Sequence, residues 1–139
     1  MTNSYPLAAR ALAEIEASHD FFVNWFIGEA DDVEFAIWLK TTAPDFRLTT
    51  PAGTMLERAA IINWIAGARG SQAGPFEIAI EDAQIIHADA DAVLLIYVER
   101  QYRDGRTARR RSMAFFLRDD SAPRGVVWRH LQETWLQAD

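Results

Sequence analysis

The sequence contains no cysteine, few prolines and glycines, and no long apolar run. Without cysteine among its 139 residues, the chain has no disulfide, no thiolate nucleophile and no cysteine zinc site. Its 5 prolines and 7 glycines, beside a hydrophobic content of 50%, exclude a disordered chain. It has neither an apolar segment of about 18 residues nor an N-terminal apolar run behind a basic start. We therefore expect one globular domain over residues 1–139, cytoplasmic and without a membrane partner.

Charge is unevenly distributed along the chain. Residues 1–99 carry 5 Lys and Arg against 15 Asp and Glu, a balance of −10, whereas residues 100–139 carry 9 against 5, a balance of +4, which gives the net −6. An acidic body repels nucleic acid as a whole, so we do not expect a nucleic-acid partner. Binding of an anion or of nucleic acid by the arginine-rich hairpin of residues 100–111 stays open as an alternative.

The N-terminal half has helical periodicity. Apolar residues recur at steps of three and four from Ala8 to Phe26, and this spacing places His19 in the apolar stripe of a first helix. His19 is either a core histidine or part of a pocket wall. Gly28 ends this helix, and Asp31 or Asp32 begins a second one.

A third helix and four long strands follow. Thr54 and Glu57 have the spacing of a capping box, which predicts that the third helix begins there, after a short strand at residues 46–50. The period then changes to two, which predicts strands at residues 76–88, 92–103, 106–118 and 126–136. Helices first and a meander last predict an α+β fold with the helices on one face of an antiparallel sheet.

Turn lengths give the strand register. A two-residue turn at Asp104-Gly105 pairs Glu99 with Arg110, and a three-residue loop at 89–91 pairs Asp82 with Val98. One face then meets the helices through Ile78, Ile80, Ile86, Leu94, Ile96, Val98, Met113, Phe115 and Leu117. The other face is mixed, which suits a homodimer through the sheet; it carries Glu77, Ala79, Glu81, Ala83, Ile85, Tyr97, Glu99, Arg110, Ser112, Ala114 and Phe116.

Short motifs in this order resemble a known superfamily. They are Ala43-Pro44-Asp45-Phe46, Thr50-Pro51-Ala52-Gly53 and the final Trp128-Arg129-His130-Leu131 with Gln132-Glu133-Thr134. The chain resembles the nuclear transport factor 2-like superfamily, and within it the small bacterial polyketide-cyclase-like (SnoaL-like) proteins, many of which have no assigned activity. The resemblance implies a cystatin-like cone whose strongly curved sheet and three helices enclose a pocket, often in a homodimer formed through the sheet.

The resemblance leaves the chemistry open. Members of the superfamily include isomerases, dehydratases, cyclases and epoxide hydrolases as well as binding and assembly modules. The steroid isomerases use an Asp base with a Tyr and a protonated Asp, a case that general accounts of pKa tuning describe, and no matching trio is evident in this sequence. The dehydratases use paired histidines, a role that His19 and His130 could take.

The predicted register places four polar residues among the aliphatic ones on the helix-covered face: Asp82, Gln84, Arg100 and Arg111. Asp82 and Arg111 either satisfy each other or act as a general base and an anchor for a substrate oxygen. Arg100 lies opposite Arg109, so both splay into solvent or an anion lies between them.

His130, beside Trp128 and Gln132, is the best single candidate for acid-base work, because an imidazole titrates near neutral pH; a backbone-bonded strand histidine is the alternative. Trp64, like the other helical tryptophans, is a core residue or a ligand contact. His87 beside Asp89 is ordinary turn chemistry, and we expect neither metal nor cofactor.

These observations lead to a function hypothesis. We expect a small, largely apolar molecule, with a carboxylate or a ketone, in a pocket where His130 or Asp82 is the catalytic base, and where Arg111, His19, Trp128, Gln84 and Trp64 bind the substrate. The reaction would be an isomerisation, cyclisation or dehydration without a cofactor, and the alternative is a non-catalytic homodimeric binding or assembly module. A cavity of about 300 Å³ or more, lined by His130 and Asp82, would favour the enzyme.

Overall fold

Three helices pack against one face of a six-stranded sheet in a computed structural model that describes residues 6–136. The elements in chain order are α1 (Pro6–Phe26), α2 (Asp32–Leu39), β1 (Thr42–Thr49), β2 (Met55–Glu57), α3 (Arg58–Gly67), β3 (Phe76–Ala88), β4 (Ala92–Arg103), β5 (Arg106–Arg118) and β6 (Val126–Trp135). The predicted α+β class, with the helices first, is confirmed. No helix within the described residues is both long and apolar enough to cross a membrane.

The sheet is mixed, not wholly antiparallel. Its strand order is β2-β1-β6-β5-β4-β3, and the pair of β1 with β6 is parallel while the other neighbours are antiparallel. The expectation of an antiparallel sheet was wrong at this one pair. Its cause is the long connection through β2, α3 and the meander, which returns β6 alongside β1 in the same direction.

The N-termini of α2 and α3 show which local signals decided the structure. Asp31 caps α2, because its side chain accepts a hydrogen bond of 2.9 Å from the backbone N–H of Glu34. The predicted capping box of Thr54 is wrong. Residues 55–57 pair with β1 as β2, and α3 begins at Arg58 without a side-chain cap. Pairing with β1 therefore outweighs the local capping signal.

The register prediction succeeds for one hairpin and fails for most of the other, in which only the predicted pair of Gln84 with Ile96 is observed. Glu99 lies opposite Arg110 and Val98 opposite Arg111, as the turn at Asp104-Gly105 predicts. In β3 the ladder is interrupted between Glu81 and Gln84 and again between Ile85 and His87, and Asp82 has a φ of 53°. Asp82 therefore lies in an irregularity of an edge strand and does not pair with Val98.

The two faces of β4 and β5 are exchanged relative to the prediction, whereas Ile78 and Ile80 of β3 lie on the helix-covered face as predicted. The face under the helices carries side chains that are at most 1% exposed: Val93, Leu95, Tyr97, Glu99, Ser112, Ala114 and Phe116. The outer face carries Leu94, Ile96, Met113 and Phe115, and Met113 is 45% exposed. Choosing the face with more aliphatic residues failed because the buried face combines aromatic and small side chains with ion pairs. The part of the predicted homodimer face that β4 and β5 contribute is therefore covered by the helices.

Candidate functional site

A cavity of about 360 Å³ lies between the helices and the sheet. Its volume is in the range of small-molecule sites, as the hypothesis of a pocket required. Most of its wall is apolar or aromatic: Phe22, Phe26, Trp38, Phe46, Leu48, Pro51, Leu56, Ile61, Trp64, Ile65, Ile78, Trp128 and Leu131. The cavity therefore suits a ligand with an apolar body.

Five polar side chains converge on one side of this cavity: His19, Glu99, Gln101, Arg110 and Glu133. Strand pairing brings the four strand residues together, because Glu99 lies opposite Arg110, and Glu133 lies diagonally from Arg110 through its pairing with Ser112. The apolar stripe of α1 supplies His19. These charged groups are held by regular elements and not by loops.

His19 is an imidazolium. Its Nδ1 lies 2.7 Å from the carbonyl oxygen of Ile15 and its Nε2 lies 2.9 Å from Glu99 Oε1. A carbonyl oxygen can only accept, so Nδ1 carries a proton and Nε2–H donates to the carboxylate. Burial lowers the pKa of His19, but the charge and hydrogen bond of Glu99 outweigh it and raise the pKa above its ordinary value.

Glu99 is a fully buried carboxylate with three donors. Besides His19, it accepts hydrogen bonds from Arg110 Nη2 at 2.9 Å and from the amide of Gln101. Burial alone would raise its pKa. The charge and hydrogen bond of His19, with the charge of Arg110, outweigh burial and lower the pKa of Glu99 to about 2. Glu99 is therefore ionised throughout the physiological range.

Glu133 has the opposite property. It is 7% exposed, and its Oε2 lies 3.0 Å from Arg110 Nε. That N–H is not aligned for a hydrogen bond, so the contact is purely electrostatic. Burial raises the pKa of Glu133 to about 7, with the negative charge of Glu99 adding to the rise and Arg110 opposing it. A carboxyl that titrates near neutral pH can both accept and donate a proton in the cavity.

These four residues form a row of alternating charge, which we call the charge chain: His19, Glu99, Arg110 and Glu133. Its successive contacts are 2.9, 2.9 and 3.0 Å. Arg110 also lies over the ring of Trp135, 5.7 Å from its centroid. Its Nη1 has no hydrogen-bond partner among the described residues, and its side chain is 20% exposed. The guanidinium therefore keeps one free donor edge.

Known structures match this architecture. No protein-family model and no curated relative matches the chain. An NTF-2-like protein of unknown function from Pseudomonas aeruginosa is 26% identical with a TM-score of 0.84, covering 92% of this chain and 99% of that one. The CaMKII hub of S. rosetta is 12% identical with a TM-score of 0.69, covering 98% and 99%. A ketosteroid isomerase-like protein from Erwinia carotovora atroseptica is 10% identical with a TM-score of 0.60, covering 94% of each chain.

The chain has the nuclear transport factor 2-like fold. The last two neighbours are similar in fold alone, and a fold of this kind hosts unrelated functions. The function of this nuclear transport factor 2-like chain therefore depends on the residues that line its cavity.

Three of the predicted site residues line the cavity: His19, Trp64 and Trp128. The indole N–H of Trp128 donates to Ser18 Oγ at 3.1 Å, which fixes its ring in the wall. Trp64 is 56% exposed and so lies where the cavity of this nuclear transport factor 2-like domain opens.

The placement predicted for Asp82, Gln84 and Arg111 is wrong, because all three are exposed and none lines the cavity. Arg111 lies on the outer face through the exchange of faces, and Asp82 lies in the irregularity of β3. Because these side chains are exposed, the structure excludes the hypothesis in which Asp82 is the base of the cavity and Gln84 and Arg111 bind the substrate there.

His130 also lies outside the cavity. The pairing of β6 with β5 shifts between Phe115 and Phe116, so that His130 lies opposite Phe115 and Trp128 opposite Phe116. Arg129 is the extra residue, and it turns His130 to the outer face. Burial lowers the pKa of His130, and the charges of Arg129 and Arg47 add to this effect. The catalytic role predicted for this residue has no geometric support in the cavity.

Sequence reasoning missed Glu99, Arg110 and Glu133. A signal existed for the first two, because the predicted pair of Glu99 and Arg110 and a histidine in the apolar seam of α1 together make a buried ion-pair network. Glu133 carried no such signal, since its position depends on the irregularity at Arg129.

The other charged groups of the described residues lie outside the cavity. Within residues 6–136, no group of three or more His, Asp or Glu side chains could hold a metal ion. In the hairpin, Arg100 and Arg109 lie 3.1 and 3.8 Å from Glu81, and Arg110 points into the cavity. These contacts reduce the cationic surface that an anion or a nucleic acid could meet.

Proposed function

We propose that the cavity binds a small, largely apolar carbonyl compound and that Glu133 moves a proton at the carbon next to the carbonyl. The observation that carries this proposal is a carboxyl with a pKa of about 7, buried beside an arginine in a cavity of about 360 Å³. The base predicted at Asp82 or His130 becomes Glu133. The electrostatic partner predicted at Arg111 becomes Arg110. The reaction class remains an isomerisation, cyclisation or dehydration.

The proposed proton transfer conserves atoms, electrons and charge between Glu133 and the ligand. The Glu133 carboxylate takes a proton from the α-carbon and the C–H bond breaks. Its electron pair forms a double bond to the carbonyl carbon, and the π pair of the carbonyl moves to the oxygen, which gives an enolate. Glu133 becomes neutral while the enolate becomes negative, so the total charge beside Arg110 does not change. Glu99 and His19 hold Arg110 in place, and the free Nη1 edge of Arg110 can donate to the enolate oxygen.

Proton transfer is tested by hydrogen exchange with 2-tetralone, a bicyclic ketone with acidic α-protons. We expect the protein in D₂O to speed the loss of the α-proton NMR signals over buffer alone. The rate should rise with pH through about 7 and then level off, because the carboxylate is the active form. Binding of an apolar fluorescent dye without any acceleration of exchange would instead indicate a non-catalytic binding module.

A homodimer through the outer face of the sheet is part of the proposal. Leu94, Ile96 and Phe115 are half-buried there and Met113 is 45% exposed, so apolar side chains lie at the centre of this face. A second copy of the chain would cover them by a two-fold contact. The similarity in fold to a protein described as a CaMKII hub supports this part of the proposal.

Charge at the centre of that face should prevent dimer formation. Met113→Lys should convert a dimer into a monomer in size-exclusion chromatography with light scattering, because an unpaired ammonium would be buried in the contact. Met55→Lys is the matched control: Met55 is 58% exposed on β2, and this variant should remain dimeric. A wild-type monomer at micromolar concentration would rule out the outer-face dimer.

A further inference from the structure

The charge chain is balanced before any ligand enters. When Glu133 is ionised, the charge chain contains two cations and two anions, and their charges sum to zero. Each of them contacts an opposite charge at 2.9 to 3.0 Å. The rest of the wall is mostly apolar. The domain itself carries a net charge of −6. No unpaired positive charge among the described cavity residues is therefore available to neutralise an entering anion.

A carboxylate that entered this cavity would meet one charged donor that has no partner among the described residues, and two negative charges. The donor is Nη1 of Arg110, and the negative charges are those of Glu99 and Glu133. An additional buried anion without a partner is costly. Protonation of Glu133 removes the excess charge and creates an O–H donor, because a neutral carboxyl can donate to one ligand oxygen while Arg110 donates to the other.

We propose that the cavity takes carboxylic acids only together with one proton, which Glu133 holds, and takes neutral carbonyl compounds without one. This inference rests on the proposed function in that it uses the same cavity and the same carboxyl. It narrows the ligands to neutral carbonyl compounds and to carboxylates that bind together with one proton, so that the charge chain and its ligand are neutral overall.

The charged and titratable groups that face Glu133 keep their protonation state near neutral pH, so Glu133 is the group that changes charge. Arg110 on β5 stays positive. Glu99 on β4 stays ionised, with a pKa of about 2, and burial raises the pKa of Tyr97 on the same strand well above its ordinary value. His19 on α1 is held as an imidazolium by Ile15 and Glu99. A proton taken up near neutral pH is therefore assigned to Glu133.

Calorimetry in buffers of different ionisation enthalpy measures the proton count directly. For 2-naphthoate, which is ionised in solution, we expect uptake of about 0.9 proton per site at pH 8 and about 0.1 at pH 6, and affinity should weaken about tenfold per pH unit above 7. For 2-tetralone, a neutral bicyclic ketone, we expect no uptake at either pH.

Two variants identify the group. In Glu133→Gln the amide cannot ionise, so 2-naphthoate should bind with no proton uptake and with an affinity at pH 8 close to that of the wild type at pH 6. His130→Gln removes another titratable group, an imidazole on the outer face whose pKa is lowered by burial and by the charges of Arg129 and Arg47, and should retain the full uptake.

Three results would overturn the inference: binding of 2-naphthoate to the wild type at pH 8 without proton uptake, uptake that persists in Glu133→Gln, or no binding of 2-naphthoate at pH 6. The exchange assay is a separate readout. Proton-coupled binding without exchange would contradict the proposed catalysis and leave this inference standing, and exchange without coupling would do the reverse.

Discussion

Replacing Glu133 with glutamine should slow the protein-catalysed exchange of 2-tetralone protons by about 100-fold or more, the loss typical of removing a positioned general base. The amide keeps the size and place of the side chain, but it cannot accept the proton. Arg110 would still offer a donor to the carbonyl oxygen. The remaining rate should therefore reflect binding and polarisation alone, and it should no longer rise with pH through 7.

The variant should remain folded, which makes the loss interpretable. Because the folded-state pKa of Glu133 lies above its ordinary value of 4.5, stability from this group is present below pH 4.5 and is lost as the pH rises through about 7. Glu133→Gln removes that penalty and should be at least as stable as the wild type at pH 8. His130→Gln should keep the exchange rate. Equal rates in wild type and Glu133→Gln would remove Glu133 from the reaction.

Replacing Glu99 with glutamine should lower the free energy of unfolding by about 3 kcal/mol at pH 7, the lower end of the cost of removing one partner from a buried ion pair. The carboxylate is fully buried and is bonded to both His19 and Arg110. The amide would leave two buried cations facing a neutral group. Urea denaturation followed by tryptophan fluorescence measures the change.

The pH dependence of stability and an exposed ion pair provide two controls for the effect of Glu99→Gln. The pKa of Glu99 is depressed to about 2, so its stabilising effect is present above pH 4.5 and is lost as the pH falls through 2. Glu99→Gln should lose most of this acid-dependent step. Asp120→Asn removes a carboxylate that pairs with Arg118 at 2.9 Å in solvent, and its stability should not change measurably. Equal effects in the two variants would mean that the buried network stabilises nothing.

Much of the fold could be predicted because it depends on local pattern. The period of two located β3, β4 and β5 at their observed bounds, and Asp104-Gly105 fixed the register between β4 and β5. Capping was less reliable. It identified Asp31 but failed at Thr54, where strand pairing with β1 decided the structure.

The candidate site could be predicted only in part, because one extra residue in a strand reverses every side chain beyond it. His19 was recognised from the apolar stripe of α1. The irregularity at Arg129 exchanged His130 for Glu133 on the inner face of β6, and nothing local in that strand signals it. The choice between two faces of β4 and β5 depended on tertiary ion pairs, which a count of aliphatic residues does not detect.

The most direct measurement of the central claim is a ¹³C NMR titration of the Glu133 side-chain carboxyl, assigned by its absence from the spectrum of Glu133→Gln. We predict a pKa of about 7 in the free protein, because burial and the negative charge of Glu99 disfavour its ionised form. A pKa near the ordinary 4.5 would contradict the account: Glu133 would then be a permanent carboxylate, unable to exchange protons near neutral pH.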